Sequence, residues 1–231
     1  MRTFQSDLIK LLDLLKTKVP FSFSKYADGE YAILINQLIT NCDNWTYNPE
    51  TDGVYRDELL NSFKFNEKGY YVGISCPCCV PQEHVQWMRN NVRVDENHLT
   101  WANIFVNGNY NNFLKYFIPE FANHKVILVA AQGGMENVDN LPFKVEEYIP
   151  IGKTAWKENF NLVEELPKKE YNNKLFLLCA GPLGNMLAAK MWKYNKNNIY
   201  MDIGSTLNPW LVGANRGYLR GSETLNKICI W

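Results

Sequence analysis

The sequence predicts an α/β chain with a mainly parallel sheet flanked by helices, and three observations predict it. Strand-like runs alternate with helical patterns of ten or more residues, as βαβ units do. Two of the runs, "VILVAA" and "LFLLCA", are apolar throughout, as strands covered on both faces are. Glycines and polar residues gather just beyond such runs, where a parallel sheet presents the carboxyl ends of its strands.

Taken in chain order, residues 7–16 place Leu8, Leu11, Leu12 and Leu15 at the i, i+3, i+4, i+7 spacing of an amphipathic helix. "FSFSKY" (21–26) alternates as a strand, and Tyr31, Leu34, Ile35 and Leu38 repeat the helical set. Residues 40–57 are polar and turn-rich, which predicts a loop over the strand ends. "YYVGI" (70–74) reads as a strand, and "PQEHVQWMRNN" as a helix with Pro81 in its first turn. "TWANIFV" is a strand candidate, and 109–121 a helix that Pro119 would cut short. "KVILVAA" (125–131) is a buried strand followed by a polar turn, "QGGMEN". "KVEEYIPI" alternates as an edge or half-buried strand, and "TAWKENFNLVEEL" is an amphipathic helix. "KLFLLCA" (174–180) is a second buried strand running into a turn and a helix, and "NIYMDIG" (198–204) a last central strand. No internal repeat or linker interrupts the series. One Rossmann-like domain, residues 1–231, is the prediction.

The chain has 231 residues, 46% of them hydrophobic, with 24 basic and 24 acidic side chains. Balanced charge gives no general attraction to nucleic acid or to an anionic membrane, so neither is an expected partner. The first eighteen residues break their apolar positions with charge and read as neither a signal peptide nor a membrane span. A cytoplasmic protein is expected, with a homo-oligomer left open. The six cysteines do not make a disulfide scaffold in a chain of this length. "SCPCCVPQEH" groups Cys76, Cys78 and Cys79 with His84 following. No second cysteine pair stands at ribbon or finger spacing, so the expectation is a turn with reduced thiols and no bound metal.

The chemistry is expected where the strands end. The first strand delivers Lys25, Asp28, Gly29 and Glu30, and "KVILVAA" delivers Gln132, Gly133, Gly134 and then Glu136. "KLFLLCA" delivers Gly181, Pro182, Gly184 and Asn185, and the last strand Asp202, Gly204 and Ser205. "CAGPLGN" is open to two readings. Glycines opening a helix let backbone N–H groups approach a phosphate, but Gly-x-x-Gly with proline in the first turn is also an ordinary packing turn. Asp28 and Glu30 are open too. As a helix N-cap and a first-turn acid they explain themselves at about 1 kcal/mol or less apiece. As ligands they suit a hard divalent cation carried by a diphosphate, whose phosphates meet the helix dipole while the carboxylates meet the metal.

"SKYADGE" before an apolar helix, then "CAGPLGNMLAAKMW" and "MDIGSTLNPW", resembles the GT-D-type glycosyltransferases over residues 20–210. Those enzymes carry an Asp-x-Glu motif in an Arg/Lys-aromatic-Gly-Asp-Gly-Glu setting. Here Ala27 stands where the family usually has glycine, and Lys25 where arginine is common, which keeps the charge but loses the bidentate fork. The resemblance implies a GT-D fold and transfer of a sugar from a nucleotide diphosphate donor, a UDP-sugar, to a carbohydrate acceptor. It implies Mn²⁺ or Mg²⁺ held through Asp28 and Glu30, with Lys25 at the phosphates. The donor site would take in Gly29, Gly181, Pro182, Gly184, Asn185, Asp202, Gly204 and Ser205. Glu136, Asp202 and His84 are candidates for a general base, with His84 read as a mid-helix, partly buried residue. Trp45, Tyr47 and Trp210 are candidates for an acceptor platform, with core packing the default reading for each of them. A nucleotide-sugar binding module without turnover and a Rossmann-type methyltransferase are the alternatives. The methyltransferase would want a glycine-rich turn where this chain has "ADGE".

Overall fold

A computed structural model describes residues 4–41, 45–221 and 229. Helix α1 (Phe4–Lys16) leads into β1 (Ser22–Tyr26) and α2 (Asp28–Leu34). A two-residue ribbon, β2 (Ile39–Thr40) against β3 (Thr46–Tyr47), precedes α3 (Gly53–Phe63). Then come β4 (Tyr70–Ile74), α4 (Gln82–Asn91), β5 (Leu99–Trp101) and a helical stretch over 107–121. The second half runs β6 (Lys125–Ala131), a 3₁₀ helix (Gln132–Asn140), β7 (Val145–Ile151), two short helices (Ala155–Glu158 and Leu162–Glu165), β8 (Lys174–Leu178), α5 (Pro182–Tyr194) and β9 (Ile199–Asp202). A short helix, Asn208–Leu211, follows.

Seven strands form one sheet in the order β5-β4-β1-β9-β8-β6-β7, every pairing parallel. Both faces are covered. On one side Tyr26, Val72, Val129 and Phe176 pack under α2, α3 and α5, through Leu34, Leu59, Phe63, Leu187 and Trp192. On the other, Phe23, Leu128, Leu177 and Met201 pack under α1 and the 110–121 helix, through Leu11, Leu15, Phe113 and Phe117. Full burial of each such side chain stabilises by about 1.5–3 kcal/mol, which is why strands this apolar belong in the middle of a sandwich of helices.

Several local expectations change. Residues 40–57 are not one loop: the ribbon and the start of α3 lie there. Leu59, Ser62 and Phe63 supply the buried positions of α3, and a serine among them weakens the apolar signal. The strand expected at 100–106 stops at Trp101, where the chain turns. Pro119 does not end its helix. A wider π turn over Phe113–Phe117 precedes it, relieving the ring's clash with the turn before. The helix expected over 154–166 is two helices broken at Asn159–Asn161, and the turn after β6 is a nine-residue 3₁₀ helix. β7 lies at the sheet edge, as its alternation predicts.

This topology places the site. β1 and β9 are neighbours, yet the chain leaves them on opposite faces. After β1, α2 packs into the layer of Tyr31 and Leu34, and after β9, Leu207 and Leu211 pack into the other layer. Diverging loops open a crevice at the carboxyl ends of adjacent parallel strands, the place where α/β sheets bind ligands.

Candidate active site

Three strand ends, those of β1, β8 and β9, meet at that crevice. From β1, Lys25 extends half-buried between two carboxylates, and the chain enters α2 through Ala27. Ala27 is the N-cap of α2, so Asp28 is its first helical residue and Glu30 its third. The register differs by one from the reading that makes Asp28 the N-cap. Glu30 Oε2 in fact accepts the Ala27 N–H at 2.9 Å, the reciprocal half of a capping box. Alanine has no side-chain acceptor to supply the other half. Glu30 is therefore buried and partly committed. Asp28 is exposed, and among the described residues its carboxylate has no hydrogen bond or ion pair.

From β9 comes Asp202, 1% exposed. Its Oδ2 accepts the Lys25 N–H at 3.3 Å and the Asn185 amide at 3.2 Å, and its Oδ1 accepts the Gly204 N–H at 3.2 Å. Asn185, in the first turns of α5, also donates to Lys25 O at 2.7 Å and Ser24 Oγ at 2.9 Å. One buried amide thus ties β1 to β9. Asn185 Oδ1 lies buried with no hydrogen-bond partner.

The charges are coupled. Burial pushes the Asp202 carboxyl up to about 7, against the pull of Lys25. Burial likewise raises Glu30, with Lys25 and the Ala27 N–H opposing. Burial acts to lower the Lys25 ammonium, but Asp202 and Glu30 outweigh it and its pKa is raised. Arg216 lies close enough to push Lys25 the other way. It is a second cation at the crevice that the sequence did not reveal, because it sits in a C-terminal stretch without periodicity.

Gly204 makes this packing possible. Its φ is +56°, and a Cβ there would stand 2.5 Å from Lys25 Cε. Any side chain would therefore displace the lysine as well as strain the backbone.

No protein-family model matches the chain. No curated protein matches it either. Solved structures do. One, described as domain of unknown function 1792 with a distinct glycosyltransferase fold, aligns with a TM-score of 0.63 at 14% identity, covering 97% of this chain and 88% of that one. Another, a new glycosyltransferase (domain of unknown function 1792) from Streptococcus sanguinis, gives 0.60 at 13% identity over 93% and 83% of the two chains. A selenomethionine structure of the same domain type gives 0.61 at 14% identity over 97% and 88%. The chain has the glycosyltransferase fold of these structures. It agrees with the α/β fold that the sequence resemblance implied.

Within this fold, the residues expected at the site separate into two groups. Lys25, Asp28, Glu30, Asn185, Asp202 and Gly204 come together at the crevice. The others do different work. Gly29 is buried with its Cα toward Trp45, 3.4 Å from a built Cβ. Gly181 makes the turn into α5 with φ +53° and ψ −137°, a conformation glycine alone adopts readily, and Pro182 is the buried first residue of that helix. Ser205 Oγ is 2.9 Å from the Tyr218 hydroxyl, joining β9 to the C-terminal segment. Glu136 is exposed on the 3₁₀ helix after β6, which packs against the short helix that follows β9 through Asn137 and Leu211. His84 is in the first turn of α4, not mid-helix, and stacks on Tyr31 with ring centroids 4.0 Å apart. Trp45 and Tyr47 are buried against Trp156, so neither is a surface platform.

Gly184 lies buried in the first turn of α5, against β8 and β9. A built Cβ meets Leu178 and Ala180 at 3.5 and 3.7 Å and Asp202 Cγ at 3.7 Å, in a fully buried position. Gly184→Ala should therefore leave the melting temperature within about 3 °C of wild type, while the branched methyls of Gly184→Val should lower it by more than that. Scanning fluorimetry of the two variants checks this, and a Val variant as stable as the Ala variant would refute the tight helix–strand contact.

A divalent metal implied by the resemblance can be tested against these side chains. Asp28 offers an exposed carboxylate with no hydrogen bond or ion pair among the described residues, and Glu30 keeps one oxygen beyond its cap bond. Two carboxylates are the usual protein share for Mg²⁺ or Mn²⁺ bound with substrate phosphates. The donor set fits. Lys25 and Arg216 disfavour a bare cation and favour one that arrives with a diphosphate.

Proposed function

We propose that the chain is a metal-dependent glycosyltransferase that moves a sugar from a nucleotide diphosphate donor, a UDP-sugar, to a carbohydrate acceptor. The observation that carries this reading is the exposed Asp28 carboxylate near Lys25, at the crevice of a fold shared with glycosyltransferase structures. A diphosphate needs positive charge on one side and a metal-holding acid on the other, and this crevice has both.

In this reading Asp28 and Glu30 would hold Mn²⁺ or Mg²⁺, which when bound would supply positive charge for the diphosphate leaving group. Lys25 and Arg216 place two further cations at the phosphates. Asp202 and Asn185 are positioning residues that fix Lys25 and the Gly204 turn. The first turn of α2 adds its partial positive charge at the same place.

The test is release of nucleoside diphosphate from a panel of UDP-sugars, with Mn²⁺, with Mg²⁺ and with excess EDTA. Metal-dependent release is expected. Metal-dependent binding with no release, across a panel of carbohydrate acceptors, would instead make the chain a binding module. Stabilisation by S-adenosylmethionine without stabilisation by any nucleotide sugar would point to a methyltransferase.

A further inference from the structure

Four cysteine sulfurs converge at the carboxyl end of β4, the neighbour of β1. Cys76, Cys78 and Cys79 sit in the turn after β4, where the Cys79 and Val80 N–H groups bond back to Cys76 O at 3.0 and 3.3 Å. The fourth, Cys229, arrives from the far end of the chain. All four sulfurs lie within 4.8 Å of one another. Separations are 2.9 Å for 76–78, 3.5 Å for 76–229, 3.2 Å for 79–229, 3.6 Å for 78–229 and 4.0 Å for 78–79. Bonds of ~2.3 Å to a tetrahedral zinc would set sulfurs ~3.8 Å apart, within the range these separations span.

The surroundings are those of a thiolate site. Asn103 Nδ2 points its donors at Cys79 Sγ (3.0 Å), Cys76 Sγ (3.6 Å) and Cys229 Sγ (3.6 Å). Asn107 Nδ2 reaches Cys229 Sγ at 3.6 Å and Cys79 Sγ at 3.8 Å. N–H donors on sulfur stabilise the charge of metal-bound thiolates and fix their orientation. Asn109 Nδ2 donates to Cys229 O at 2.9 Å, so the same loop also seats the backbone of the fourth ligand. All four thiols are free, and two are buried and two exposed, as at a closed structural site near the surface.

We propose that Cys76, Cys78, Cys79 and Cys229 bind one structural zinc ion, which staples the C-terminal segment to the turn after β4. Tetrahedral sulfur donors select zinc over the hard cations expected at the carboxylates. Each thiol loses its proton on binding, so four protons leave as four Zn–S bonds form. This reverses the sequence expectation of a metal-free turn. Three ligands lie within four residues and the fourth about 150 residues away, a spacing that no finger or ribbon pattern contains.

The staple bears on the rest of the molecule through the segment it anchors. Between β9 and Cys229 lie Arg216, at the crevice, and Tyr218, packed on Tyr110 and bonded to Ser205. Holding Cys229 fixes the far end of that strap.

The full chain, purified under reducing conditions without added metal, should contain about one zinc per chain by elemental analysis. Cys229→Ser and Cys79→Ser should each lower that to a small fraction, while Cys179→Ser, outside the cluster, should retain it. Because a ligand variant could misfold, wild type provides a second reading. Mercurial titration should release the zinc to a colorimetric chelator, and Co²⁺ in its place should give the intense visible bands of a tetrahedral thiolate complex. Reduced protein that takes up neither zinc nor Co²⁺ would overturn the site. So would a disulfide among these four cysteines in protein kept reduced, or stoichiometric iron in place of zinc. None of these readouts depends on sugar transfer.

Discussion

Asp28→Asn should weaken metal-dependent binding of a UDP-sugar by an order of magnitude or more, at least about 1.4 kcal/mol, while leaving the melting temperature within about 2 °C of wild type. Both halves follow from the position of Asp28. It is the first helical residue of α2, with Ala27 as the cap, so no capping bond is lost. Its side chain is exposed and has no hydrogen bond or ion pair among the described residues. Replacing it by its isostere removes only a charge near the helix dipole, a small and screened effect at the surface. A hard cation, by contrast, loses an anionic oxygen that an amide replaces poorly. Glu30→Gln should show the pattern more weakly, since a glutamine oxygen can still accept the Ala27 N–H. Calorimetric titration of UDP with Mn²⁺ against wild type and both variants, beside melting curves, decides it. Undiminished affinity in Asp28→Asn would remove the main support for a metal-dependent transferase.

How much of this was legible in the sequence divides along physical lines. Strands such as 125–131 and 174–178 declare themselves because burial on both faces demands unbroken apolar residues. The glycines and acids after them mark the carboxyl edge of the sheet for the same topological reason. What stays hidden is what depends on distance in space. Nothing near Cys76 indicates that Cys229 returns to complete a tetrahedron, and nothing near Arg216 indicates that it lies beside Lys25. A one-residue error is a different failure. Asp28 has the better capping side chain, so propensity favours it as N-cap, but the fold puts the cap at Ala27 and lets Glu30 hold the cap N–H. That shift matters because it frees Asp28 from any structural duty and gives one to Glu30. At Gly184 the packing reading accounts for the neighbours, since a Cβ there would meet Leu178 and Ala180 in ordinary contact.

Asp202→Ala should be the most destabilising single change at the crevice, costing about 3 kcal/mol, or a melting temperature lower by on the order of 10 °C. The side chain is 1% exposed and accepts three hydrogen bonds, from Lys25 N, Gly204 N and the Asn185 amide. Truncation orphans those donors in a site where water enters poorly, and it removes a counter-charge from Lys25. The pH profile separates this from simple loss of packing. Burial raises the Asp202 carboxyl to about 7, above its unfolded value. A carboxyl shifted upward binds its proton more tightly in the folded state than in the unfolded one. Its contribution is therefore fully present below about pH 4 and is lost as the pH climbs through about 7. Wild type should lose stability across that window, and Asp202→Ala should be flatter over it. Urea denaturation at pH 5 and pH 8, for wild type and variant, measures both the offset and the slope. A variant as stable as wild type at both values would show that the three bonds to Asp202 do not hold β1, β9 and α5 together, and equal slopes would show that the titrating group lies elsewhere.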